Sequence, residues 1–194
     1  MRQALVESYI DRLRVSFGQI RTPIAEERLR ALYDAKDYGR MVYHIQTALR
    51  LDLTVRLGLV NKGGPNAPAW ISGSVPMPMY GTEAFRQEVV TMYIRKSFLA
   101  EVLFDTVVMA IAHELCHVVL NATGHPLREQ EEAVDLAAML LGFRDFYVTG
   151  CRTVRKQQVS RAMKLAGYDA YEVSSVSYLT QEEISHAATY MTYH

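Results

Sequence analysis

Val107-Val108-Met109-Ala110-Ile111-Ala112-His113-Glu114-Leu115-Cys116-His117-Val118-Val119-Leu120 is the stretch on which the reading of this chain turns. It is an apolar run interrupted only by two imidazoles, a carboxylate and a thiol. At about 3.6 residues per turn, His113 and His117 project from one helical face and can grip a single cation. Glu114 lies beside them. Burying such groups in an apolar helix is costly unless they are used, so the spacing predicts a metal-binding helix over residues 105–122. Asp105 or Thr106 is suited to cap its start and Gly124 to terminate it. Cys116 points about 60 degrees away from His113 and reads as a small core residue.

Downstream, Gly124-His125-Pro126 reads as a tight turn into a second helix over 126–141. Counting outward from that turn at equal rise puts Glu131 or Glu132 level with His117, and Asp135 level with His113. Glu131 and Asp135 stand four apart on one face. Glu131 is therefore the expected third ligand and Asp135 the acceptor of a hydrogen bond from His113, with Glu132 as the alternative ligand. This donor set suits Zn2+, and three protein ligands leave a position for water. Zinc lowers the pKa of such a water, and Glu114 is placed to act as general base as it attacks a carbonyl. His125, His186, Tyr147 and Tyr178 are candidate donors to the resulting oxyanion. The other reading is a zinc-stabilised regulatory or binding module without proteolytic activity, its fourth position closed by Cys151, His125, His186 or His194.

Upstream, helical spacing of apolar residues covers 3–20, and Thr22-Pro23 reads as the N-cap and first turn of a helix reaching about Asp37. A third helix is expected over 41–49. Leu53, Val55, Leu57 and Leu59 alternate as in a half-buried strand within 51–60. The Gly- and Pro-rich segment 61–68 then reads as a loop, returning in a hairpin through a short strand near Trp70 to Gly73. Residues 74–88 form a surface connection bordering a cleft, and Val89–Arg95 is the last strand, rich in β-branched residues. Helices are expected over 154–166 and from Gln181 onward, the last opened by a capping box of Thr180 and Glu183. Three short strands flanked by helices predict an α+β fold in one domain. Its parts are N-terminal helices (1–50), a small sheet (51–100), a metal-binding helix hairpin (101–143) and C-terminal helices (150–194).

His113-Glu-Leu-Cys-His117 followed by Glu131-Glu-Ala-Val-Asp135 resembles the gluzincin metallopeptidases, whose third zinc ligand is a glutamate on the next helix. The closest likeness is to small cytosolic members, the minimal gluzincins and the ImmA/IrrE-like peptidases that cleave repressors, where a similar helix ends as Ala137-Ala-Met-Leu-Leu141 does here. The resemblance spans roughly residues 89–143. It implies a zincin-like fold, a protein or peptide substrate and a possible regulatory protein partner. In such an arrangement Val89–Arg95 presents an edge that receives an extended substrate by β-augmentation. Two departures stand out: the His117-to-Glu131 interval is shorter than in that group, and the residue before Asp135 is Val134 rather than a small one.

Composition narrows the class. Apolar residues make up 49% and charged residues 22%, with 21 basic and 21 acidic side chains, which argues against broad affinity for nucleic acid or anionic lipid. The basic stretch 152–164 is the one local exception, and a helix-turn-helix around 159–167 is generic in pattern. Charges interrupt the N-terminal apolar residues, and no later run is expected to reach membrane-spanning length. With only Cys116 and Cys151, the chain reads as cytoplasmic with reduced thiols.

Overall fold

The computed structural model describes residues 2–62, 64, 67–150, 152–156, 171–175 and 177–193. Its elements in order are α1 (Arg2–Phe17), α2 (Glu26–Asp34), α3 (Tyr38–Ala48), β1 (Thr54–Val60), β2 (Ala69–Ser72), α4 (Glu83–Gln87) and β3 (Val89–Arg95). They are followed by α5 (Lys96–Glu101), α6 (Phe104–Ala122), α7 (Glu131–Ala138), α8 (Arg144–Gly150), β4 (Arg152–Lys156), β5 (Tyr171–Ser175) and α9 (Gln181–Tyr193). The class is α+β, as expected. α6 is the central rod: fourteen of its side chains are buried, and it packs on α3, α7, α8 and β2. Ile10 and Leu13 of α1, Met41 and Ile45 of α3, Met92 and Ile94 of β3 and Ile184 of α9 complete the same core.

The sheet differs from its expected topology. Its order is β1-β3-β2, with β1 parallel and β2 antiparallel to β3. β1 and β2 do not pair as a hairpin, because β3 lies between them. β3 is therefore the central strand rather than an edge. Alternation places Val90, Met92 and Ile94 on the buried face, in register with half-buried Val55 and Leu57 and exposed Leu59 of β1. Nor is β3 the last strand, since β4 and β5 pair antiparallel. The β-branched pair Thr153-Val154 belongs to β4, where a helix was expected. Residues 157–166 of that expected helix, and the 159–167 helix-turn-helix segment, lie outside the described residues.

Helix boundaries shift for identifiable reasons. α2 begins at Glu26 with Ala25 as N-cap, so Thr22-Pro23 does not open it. α6 begins after Leu103, which donates no side-chain cap. Thr106 Oγ1 instead donates to Gly150 O at 2.8 Å, tying α6 to the end of α8. At the other end the expected terminator holds: Gly124 adopts φ 61°, its N–H donates to Asn121 O, and the His125 N–H donates to Leu120 O. This is a Schellman closure, which needs a left-handed residue just past the helix. The expected helix 126–141 is shorter, because turns occupy 126–129 and α7 starts at Glu131. After α7 the chain makes a wide turn over Met139–Phe143, broken at Gly142 with φ 111°. The carbonyls exposed by that break accept from Arg21 and Ile24 N–H groups in the linker after α1. Contrary to expectation, α6 is long and apolar enough to cross a membrane, but 78% of that span is buried inside the fold.

Candidate metal centre

The Schellman closure fixes the exit of α6, and the eight-residue connection 123–130 returns the chain so that Glu131 is the first residue of α7. Acidic residues suit that position, next to the positive end of the helix dipole. Glu131 faces α6, whereas Glu132 turns to α1 and lies 3.8 Å from Arg2. The alternative third ligand, Glu132, is thus directed away from the histidines. The predicted level relation between Glu131 and His117 holds, though a longer loop than a tight turn produces it.

Three ligand atoms converge. His113 Nε2 lies 3.1 Å from His117 Nε2, and each lies 3.2 Å from Glu131 Oε2. Ligands of a tetrahedral divalent ion with bonds of about 2.0–2.1 Å stand about 3.3–3.4 Å apart, so the triangle fits with little adjustment. The donor chemistry points the same way. The His113 Nδ1–H donates to Asp135 Oδ1 at 2.7 Å, which leaves the Nε2 lone pair facing the triangle. Glu131 Oε2 is buried without a hydrogen-bond partner. Lone pairs crowded this closely are stable only with a cation or a proton among them, and His113, His117 and Glu131 can hold a metal ion. Among the described residues no fourth His, Cys, Asp or Glu joins the cluster.

Electrostatics show the same competition. Burial lowers the His113 pKa, but the Asp135, Glu131 and Glu114 carboxylates around it prevail and raise it to about 10. His117 is lowered by its own burial and by the neighbouring His113. Glu131 is lowered by the two histidines. Glu114 is raised to about 7, mainly by burial and then by the Glu131 charge, while His113 and a hydrogen bond from the Ile71 N–H oppose the rise. That N–H belongs to β2. Arg95 N donates to Pro68 O, so alternation turns the Ala69 and Ile71 backbone groups away from β3, toward α6. The open sheet edge beside the metal triangle is β2.

No protein-family model, curated protein or solved structure matches this chain.

The remaining predicted residues separate clearly. Asp135 is where the sequence expectation put it, buried behind His113. Tyr147 is also buried, its hydroxyl donating to Asp135 Oδ1 at 2.9 Å, so it is not an oxyanion donor. His125 stacks on Phe17 and accepts from the Leu127 N–H through Nδ1. His186 bonds Glu7. Both stand away from the triangle, whereas Cys151 and His194 lie outside the described residues. Tyr178 alone of the four donor candidates is beside the metal triangle, its ring stacked on His113 with centroids 5.4 Å apart and 56% exposed. Three contacts were not foreseen from sequence. Ser177 Oγ and the Tyr178 N–H donate to Asp135 Oδ2 at 2.7 and 2.9 Å, and Ile71 holds Glu114.

Proposed function

We propose that this chain is a zinc-dependent metallopeptidase of the gluzincin type, hydrolysing peptide bonds of a protein or peptide substrate. The observation that carries this reading is the near-equilateral triangle of His113, His117 and Glu131 ligand atoms, with the Glu114 carboxylate beside it and an open strand edge alongside. Bound zinc would acidify a water and polarise the scissile carbonyl. Glu114, with its pKa raised toward neutrality, takes the proton of the attacking water and returns it to the leaving amine. Asp135 keeps the His113 ring in the tautomer that offers Nε2. The outward Ala69 backbone groups and the Ile71 carbonyl align the peptide in extended form, and the Tyr178 hydroxyl donates to the developing oxyanion.

Glu114→Gln tests the mechanism. It is expected to keep zinc at full stoichiometry while hydrolysis of a peptide mixture falls about 10²–10⁴-fold. An active Glu114→Gln protein would sink the assignment of the base. Zinc content measured beside activity separates that outcome from loss of the metal.

A further inference from the structure

The metal triangle sits between two unequal recesses along the β2 edge. On one side, toward the start of β2, is a recess of about 70 Å³ walled by Ala67, Ala69, Met109, Ala110, Tyr147 and Tyr178 and bounded toward the triangle by His113, Glu114 and Asp135. On the other, beyond His117, a groove of about 460 Å³ is bordered by Ile71, Val75, Met77, Val118 and Asn121. Building on the peptidase reading, we infer that the substrate carries a residue no larger than alanine or serine on one side of the scissile bond and a bulky residue on the other. The small recess holds less than half the volume of a cavity that takes up benzene, about 150 Å³. Its inner walls are fixed by packing, while the outer wall, Tyr178, is 56% exposed. Ala69, Met109 and Ala110 are buried, and Tyr147 is pinned to Asp135 by its hydroxyl. Close-packed walls of this kind penalise added methylenes, each worth about 10–200-fold in discrimination. The opposite groove has no such limit, and the nearly fully exposed Val75 on its rim supplies apolar surface for a large side chain to cover.

The test uses the zinc-loaded full chain and quenched peptides in which Gly, Ala, Ser, Val, Leu and Phe are placed independently at the two positions flanking the scissile bond. At one position Gly, Ala and Ser are expected to exceed Leu and Phe at least tenfold in kcat/KM, with the reverse order at the other. Ala110→Val should narrow the first position to Gly, and Met109→Ala should admit Val and Leu there. Binding of the same peptides to zinc-loaded Glu114→Gln should follow the same order. Cleavage without a size preference, or variants that leave the preference unmoved, would overturn the inference and leave the peptidase reading intact. Neither cleavage nor binding of any peptide would overturn both.

Discussion

Asp135 spends its acceptor capacity on four donors: His113 Nδ1 and Tyr147 Oη on one oxygen, Ser177 Oγ and the Tyr178 N–H on the other. An asparagine there presents one acceptor oxygen and an NH2 group, so whichever way it turns, one pair of donors faces another donor. Asp135→Asn is accordingly expected to weaken metal affinity about 10–100-fold, read by competition with a chromophoric chelator, while Glu114→Gln binds as the parent does. Equal affinities in Asp135→Asn and the parent would remove its orienting role. At this scale the sequence was informative wherever partners share a helix face. The steps from His113 to His117 and from Glu131 to Asp135 are each one helical turn, and that periodicity carries the site. Ser177 and Tyr178 stand 42 and 43 residues from Asp135, and no local pattern encodes their approach.

The α6–α7 connection shows what an element boundary contributes. Gly124 is the residue that lets α6 close and the chain turn back toward Glu131, and a Cβ built there would meet nothing within 4 Å. Its replacement by alanine therefore costs only the left-handed backbone penalty, about 1–2 kcal/mol. Gly124→Ala should lower Tm by about 2–4 °C per kcal/mol, with Gly124→Asn milder because asparagine tolerates that conformation. A Gly124→Ala melt identical to the parent's would show that the closure is not strained. Elements with strong apolar patterns, such as α6 and β3, were legible, whereas β4, where a helix was expected, was not. Strand order was not: alternation says which face of β1 or β3 is buried, but not which neighbour it pairs with. The hairpin and the edge role of β3 failed for that reason. The edge beside the metal triangle is instead β2, whose four residues are too short to show a period.

Across the whole molecule, the metal triangle lies at the margin of an extensive apolar core. Apolar contacts run from α1 through α3 and the sheet to α9, and the ligand side chains run from largely buried His113, 12% exposed, to His117 at 23% and Glu131 at 40%. A chain whose fold is built by its metal unfolds on chelation. Here the metal-free protein is expected to stay folded and melt cooperatively, with zinc at a hundred times its Kd adding about 2.7 kcal/mol. The increment should depend on pH with a definite sign. In the metal-free protein His113 holds a proton up to about 10, so stability contributed by that protonation is present below the unfolded histidine range and lost as pH rises through the folded value. Metal binding must displace the same proton. Between pH 7 and 8 the apparent zinc affinity should therefore rise about tenfold, and the gap between loaded and metal-free melting curves should widen. Calorimetric melts with and without a chelator at the two pH values read both effects. A metal-free chain that is unfolded at either pH would instead assign the metal to the fold rather than to chemistry at Glu114.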